Sequence, residues 1–319
     1  MTDTLLQIRG VSKSFGDTHV LHDLNFDIEA GSITALVGPS GCGKSTLLNA
    51  ILGTVPQNVG SIKVDGREVD GPGRDRGIVY QRYTLFPYLT ARKNVAIGPI
   101  LDSTHLWQRL LHPLRTREMK RKWRGEADKW LAKVGLADAA DRYPSELSGG
   151  MRQRVAIAQA MILRPSILLL DEPFGALDEA TREELQDMLL GFYAENQAAK
   201  AAGKRPPHTI LIVTHELNEA ILVSDRILGL SQYWNWQGAG HAECPGATIV
   251  YDEPAPIFAV GDERKPESFY EQRHAIRRIV FEPEMPVEPV PRDKTAGAVV
   301  DELSTSKPEV VGNPSAPAR

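Results

Sequence analysis

The stretch Gly38-Pro39-Ser40-Gly41-Cys42-Gly43-Lys44-Ser45-Thr46 constrains this chain more than any other. Ahead of it, Ser32-Ile-Thr-Ala-Leu-Val37 is a short apolar run suited to a buried strand. Behind it, Leu47-Leu-Asn-Ala-Ile-Leu52 has helical composition and stops at Gly53. A glycine-rich loop between strand and helix wraps closely enough for successive N–H groups to point at one oxyanion, where the helix N-terminus already favours negative charge. In the pattern G-x-x-x-x-G-K-[ST], Lys44 reaches the β- and γ-phosphates of a nucleotide and the Ser45 hydroxyl ligates Mg²⁺. The competing reading is a glycine-rich turn with no ligand, and the strand-before, helix-after context weighs against it. Cys42 lies beside a helix N-terminus and Lys44, so its thiol is expected to be reactive and shielded by bound nucleotide.

The remaining composition narrows the class. A chain of 319 residues has room for one large or two modest domains with an ample core. With 37 basic and 41 acidic residues the net charge is −4, which gives no global pull toward nucleic acid or anionic lipid. Apolar runs such as Ile167-Leu-Leu-Leu170 are far short of the ~20 residues that span a bilayer. The N-terminus has neither the basic start nor the long apolar core of a signal peptide. Two cysteines, Cys42 and Cys244, make no disulfide framework, and a cytosolic protein is expected.

Along the chain, residues 5–11 and 24–28 alternate like strands joined by a turn near Gly16. Phe15 either stacks on a base or packs as an edge phenylalanine; spacing alone favours packing. Gly77-Ile-Val-Tyr-Gln81 is a strand ending in a polar residue that could touch a metal or its water. The aromatic segment 82–90 after it reads as a surface loop on which something docks. Helical patterns then dominate residues 91–146, which hold Trp107, Trp123 and Trp130. Arg109, Arg115, Arg117, Lys120, Arg121, Lys122 and Arg124 crowd together there with little acid between them. Such a run is ordinarily a solvated face, and contact with lipid headgroups beside a membrane partner is the alternative.

Leu147-Ser148-Gly149-Gly150-Met151 opens a long helix, with Ser148 as N-cap and the glycines exposing N–H groups, a second anion site. One nucleotide does not need two such sites in one chain, so this one is expected to complete the site of another copy. The buried strand 167–170 delivers Asp171 and Glu172 at its C-terminal end, where α/β sheets place ligands. There Asp171 could hold Mg²⁺, directly or through water, and Glu172 could polarise an attacking water. The strand 209–214 ends at His215 in the same way, which argues for function over a structural histidine.

Taken together, these motifs resemble the ATP-binding-cassette ATPases over about residues 4–231. The resemblance implies an α/β fold: a P-loop NTPase, RecA-like core, with an antiparallel β-subdomain and a helical signature subdomain at about 91–163. Residues 38–46 are similar to the Walker A motif, Gln81 to the Q-loop and 147–151 to the signature, with Met151 where glutamine is commoner. Residues 167–172 are similar to Walker B, Gly175-Ala-Leu-Asp178 to the D-loop, and His215 to the switch histidine. Phe15 falls where the family stacks an aromatic on adenine, which reverses the reading from spacing. The resemblance further implies a head-to-tail homodimer with ATP and Mg²⁺ between one Walker A and the other copy's Ser148, Gly149 and Gly150. Glu172 would be the general base, His215 would contact the γ-phosphate, Ser45, Gln81 and Asp171 would serve the metal, and Asp178 would couple the two sites.

The wording of 147–158, of 85–95 and of the helix 269–279 is similar to the importer branch serving nitrate, taurine and aliphatic sulfonates. A longer helical subdomain, a longer loop at 198–207 and an insertion near 233–251 resemble cassettes associated with urea- or guanidine-carboxylating systems. What the resemblance implies is the ATPase subunit of a solute importer on the cytoplasmic face of the inner or plasma membrane. Its partners would be separate integral-membrane permease subunits and, indirectly, a solute-binding protein, with no nucleic acid. A soluble cassette in translation or DNA repair is the alternative, and a single phosphate loop without a long coiled coil speaks against it. A small-molecule P-loop kinase leaves Ser148-Gly149-Gly150 without a purpose. Residues 232–281 are expected to form an extension with a loop insertion and a helix. Within it His241 and Cys244 are too few for a zinc site, so 232–245 reads as a glycine-rich loop or hairpin. The proline- and acid-rich residues 282–319 read as a disordered tail.

Overall fold

The computed structural model describes residues 3–81, 85–103, 113–175, 177–256, 258, 267–282 and 287–291. Trp107, Arg109 and Ala176 lie outside the described residues, as do the first part of the loop after Gln81 and residues 292–319.

Two sheets form the frame. The first is antiparallel, ordered β2-β1-β4-β5, from β1 (Thr4–Phe15), β2 (Thr18–Glu29), β4 (Val59–Val64) and β5 (Arg67–Glu68). The second is ordered β10-β9-β3-β8-β7-β6, from β3 (Ile33–Val37), β6 (Arg76–Val79), β7 (Ile167–Asp171), β8 (Ile210–Thr214), β9 (Arg226–Ser231) and β10 (Thr248–Pro254). Its inner strands run parallel, and only β10 pairs antiparallel, on β9. All five residues of β3 and of β8 are buried, as a parallel sheet covered on both faces requires.

Side chains alternate across this sheet into separate cores. Ile167, Leu169, Leu211, Val213 and Leu228 meet the first sheet and α1 (Lys44–Leu52), through Ile8, Phe26, Leu47 and Ile51. Leu168, Leu170, Ile210 and Ile212 meet α4 (Gly149–Met161) and α5 (Glu179–Ala201), through Ile157, Leu185, Leu189 and Phe192. A third core joins α2 (Ala91–Asp102), α3 (Pro113–Lys133) and α4 through Val95, Ala127, Leu131 and Val155. The helical layer is tied to the sheet side by ion pairs from Lys133 to Glu195 and from Arg154 to Glu184, both 2.6 Å. Asn196, fully buried on α5, donates to Gly31 O (3.0 Å) and His208 O (2.6 Å) and accepts from His208 N (3.0 Å). It thereby joins the entry to β3 with the entry to β8.

The C-terminal region is more integrated than the sequence suggests. Beyond residue 231 the chain adds β10 to the main sheet and closes a fourth core with α6 (Leu217–Val223) and α7 (Glu267–Ile276). The segment between β9 and β10 is a docked connection. Trp234 is 3 % exposed, its Nε1 donates to Gly246 O (2.9 Å), and its ring stacks on His22 at 5.5 Å. Ala247 exchanges backbone hydrogen bonds with β2, receiving from His22 N and donating to Val20 O, both at 2.9 Å. The expectation of a disordered tail from 282 onward fails for residues 287–291. Val287 bridges to Trp234, Val290 N donates to Ile249 O (3.0 Å), and both valines pack on core residues. Two isolated valines carry no periodicity, so the sequence gives no sign of this docking. No helix among the described residues is long and apolar enough to cross a membrane.

Candidate nucleotide site

The parallel register sets the site. Val37 of β3 lies opposite Thr214 of β8, and Val213 lies opposite Asp171 of β7. Gly38, Glu172 and His215 therefore leave the sheet side by side at its C-terminal edge, where open α/β sheets place ligands.

The phosphate loop curls back on itself. Lys44 is 8 % exposed, and its Nζ donates to Gly38 O (2.7 Å) and Pro39 O (2.9 Å), so the ammonium is held inside the ring of backbone. Ser40, Gly41 and Ser45 are exposed on the rim, while Pro39 and Thr46 are partly covered. Gly43 caps α1 at φ +102°, and a Cβ there would come within 2.9 Å of both Val20 and Leu21. Close approach of β2 thus demands glycine at this position. Phe15 ends β1 on the same hairpin, half exposed, with Lys13 Nζ 4.9 Å from its ring centroid.

Cys42 corrects an expectation. Its side chain is 2 % exposed and turns under Gly38, where an added Cβ would come within 2.8 Å of its Sγ. Burial pushes the thiol up from its ordinary pKa, outweighing the pull of Lys44. The curl of the loop turns inward a side chain that linear neighbours would leave exposed.

The carboxylates follow β7. Burial, then the charge of Glu172, pushes Asp171 up from the ordinary carboxylate range, and Lys44 across the loop opposes both. Glu172 holds a left-handed backbone, φ +50°, with its N–H on Val213 O at 2.8 Å. A non-glycine residue in that region is uncommon and aims its side chain away from the strand direction. Its Oε2 lies 2.5 Å from His215 Nδ1. Gln81 joins them from the end of β6: a Cβ built on Gly175 would sit 3.4 Å from Gln81 Nε2 and 3.8 Å from Glu172 Oε2. Ser45, Asp171 and Gln81 offer oxygen donors, the set a hard cation such as Mg²⁺ takes.

The other motif residues gather elsewhere, on the N-termini of α4 and α5. Ser148 accepts from Met151 N (3.2 Å) and caps α4. Gly149 begins that helix, and Gly150 lies so close to α5 that a Cβ would approach Thr181 Cγ2 to 1.6 Å. Asp178 caps α5, accepting from Thr181 N and Thr181 Oγ1, both at 3.0 Å; these bonds hold its carboxyl below its ordinary pKa. The chain therefore presents two loci, the ends of β3, β7 and β8, and the paired starts of α4 and α5.

Sequence reasoning missed one pair that links them. Arg182, four residues after Asp178, lies 3.0 Å from Glu219, four residues after His215. Burial raises the Glu219 carboxyl to about 7, against the pull of Arg182. The spacing of four that puts each residue on the first turn after its motif was the available signal.

The family described as "ABC transporter" matches residues 21–175. The taurine import ATP-binding protein TauB of Escherichia coli K12 is 41% identical over 227 residues, which are 71% of this chain and 80% of that protein. The bicarbonate transport ATP-binding protein CmpD of a Synechocystis strain is 39% identical over 231 residues, 71% of this chain and 74% of that protein. Among solved structures, a dimeric post-hydrolysis state of the ATP-binding cassette MJ0796 bound to ADP and Pi superimposes with TM-score 0.57 at 27% identity. It covers 80% of this chain and 100% of that one. Clostridium perfringens cbiO1, part of the ABC transporter complex cbiONQ, matches in fold with TM-score 0.62 at 24% identity, over 78% of this chain and 88% of that one.

Proposed function

Because this chain belongs to the ABC transporter family of ATPases, we propose that it is the ATP-hydrolysing subunit of a solute importer, working as a head-to-tail pair beneath separate permease subunits. The observation that supports this best is the 2.5 Å contact between Glu172 and His215 beside the Lys44 loop. In this reading Phe15 stacks on the adenine, and the N–H groups of residues 38–46 with Lys44 surround the phosphates. Glu172 accepts the proton of the attacking water as general base. His215 Nδ1 fixes that carboxylate and the ring reaches the γ-phosphate. Ser45, Asp171 and Gln81 would hold Mg²⁺, which when bound offsets charge on the phosphate oxygens. Ser148, Gly149 and Gly150 of one copy close over the nucleotide of the other, and Asp178 with its neighbours carries the state of one site to the next.

The cassette proper comprises residues 4–231, with the helical subdomain at about 91–163 and the extension beyond. Its place is peripheral, on the cytoplasmic face of the membrane. The permease docks on the helical layer and on the loop that exposes Phe86 and Tyr88. The relatives' solutes, taurine and bicarbonate, suggest a small anionic or zwitterionic solute delivered by a solute-binding protein. The test is affinity capture of the tagged chain from detergent-solubilised membranes. Co-purification of a multi-span permease with two copies of the chain is expected; ribosomal particles or DNA in its place would overturn the importer reading.

A further inference from the structure

The transport reading leaves one strongly charged surface without a task. Between Ser103 and Gly125 the sequence has seven basic residues and one acid, Glu118, within a chain of net charge −4. In the structure, Arg117, Lys120, Arg121 and Arg124 are all exposed on α3. Their spacing, i, i+3, i+4 and i+7, places them on one helix face. The same rows run on into the packed second half of the helix, where Ala127 lies seven residues beyond Lys120 and Leu131 seven beyond Arg124, so the four cations are the exposed first half of a face whose second half is buried against α2 and α4.

The second half of the same helix is balanced internally. Lys129 pairs with Glu126 at 2.7 Å, Lys133 pairs with Glu195 at 2.6 Å, and Asp128 pairs with Arg92 of α2 at 2.5 Å. No carboxylate among the described residues pairs with any of the four cations of the first half. Like charges at these spacings destabilise a helix by themselves, so nothing among the described residues accounts for the stripe. An external anionic surface does.

Position selects which surface. The Arg92–Asp128 pair marks the start of α2, next to the exposed Phe86 and Tyr88, while Trp123 Nε1 donates to Ser103 Oγ (3.1 Å) at the far end of α2. The stripe therefore lies one length of α2 from the aromatic loop, about 18 Å for a twelve-residue helix. We propose that Arg117, Lys120, Arg121 and Arg124 form a lipid-facing stripe that rests on anionic headgroups of the bilayer around the permease. This rests on the importer reading, in which the aromatic loop and the end of the helical layer beside it meet the permease, while the stripe, one helix length away at the other end of that layer, meets lipid. Juxtamembrane cations are drawn to anionic leaflets, and the attraction is screened by salt.

The experiment uses the purified full chain and sedimentation with large vesicles, without any permease. Phosphatidylcholine vesicles are compared with vesicles in which about a third of the lipid is phosphatidylglycerol. Partitioning of the wild-type chain should rise at least about tenfold on the anionic vesicles and fall back in high salt. The variant R117Q/K120Q/R121Q/R124Q should lose that rise, and R117K/R121K/R124K, which keeps every charge, should preserve it. Solution ATPase activity and thermal midpoint, unchanged in both variants, show that they are folded. Equal binding to both vesicle types, or anionic binding that survives the glutamine variant, would overturn the proposal. So would binding to a single-stranded oligonucleotide at physiological salt as tight as to anionic vesicles, since the stripe would then be a general polyanion site. None of these outcomes bears on permease co-purification, so the importer reading stands or falls separately.

Discussion

The two glycine-rich loops of this chain look alike in sequence and behave differently in the fold. The loop of residues 38–46 satisfies itself: Lys44 bonds two of its own carbonyls and Cys42 fills its underside. The loop at Ser148 does the opposite. Its serine caps α4, its Gly150 is jammed against Thr181, and Ser148 and Gly149 are left outward. The first is a socket whose walls all come from one chain. The second is a rigid tip, braced from behind by α5 and suited to completing a socket in another copy. On the head-to-tail reading proposed above, nucleotide would bind inside one subunit and be hydrolysed at a site completed by the other.

The sharpest way to separate the two loops is to freeze hydrolysis. Glu172→Gln should leave nucleotide binding intact, lower turnover by roughly 10²–10⁴, and trap a nucleotide-bound dimer with both loops engaged. Steady-state ATPase assays with size-exclusion chromatography in ATP check this, and activity within threefold of wild type would refute the role of Glu172.

Damage to the tip alone comes next. Ser148→Arg should abolish most hydrolysis while the monomer still binds nucleotide, because its own socket is untouched. Mixed with Lys44→Ala chains, it should regain measurable turnover, since each mixed dimer holds one doubly damaged site and one intact site. Normal hydrolysis by Ser148→Arg alone would end the head-to-tail reading.

Legibility in the sequence follows the same divide. The phosphate loop, the Asp171-Glu172 strand end, His215 and the Ser148 cap were readable because each is written in a few consecutive residues. What escaped depends on how distant segments meet. Cys42 has Lys44 and a helix start as sequence neighbours, yet the curl of the loop buries its Sγ beneath Gly38. Trp234 and Val287 look like loop and tail, but find each other across more than fifty residues. Arg182 and Glu219 sit on different helices, and only the packing of α5 on α6 makes them a pair.

That pair supplies a smaller effect, on stability. Glu219 has a folded carboxyl at about 7 against an ordinary value near 4.5. A carboxyl raised in the folded state binds its proton more tightly there, so its contribution is fully present below about pH 4.5 and is lost as pH rises toward 7. The span corresponds to at most about 3 kcal/mol. Glu219→Gln should flatten this part of the stability–pH curve, measured by urea unfolding from pH 4.5 to 7.5. An unchanged slope would show that another group carries it.

The smallest effect expected is a negative one. Maleimide should label Cys244, which is only partly buried, ahead of Cys42, whose buried thiol stays protonated. Peptide mapping over time checks the order. Fast labelling of Cys42 would mean that the socket opens more readily than its bonding suggests.

Asn196 has a consequence for how such a chain can change length. Its three bonds clamp the entries to β3 and β8, while between the end of α5 and Pro206 the residues are exposed. Extra chain inserted after Lys204 would hang from a clamp rather than pull on the sheet, and closing a somewhat longer loop costs little. This corner is therefore a place where lineages can add or remove residues without retuning the catalytic edge, and where a reporter domain could be grafted for the same reason.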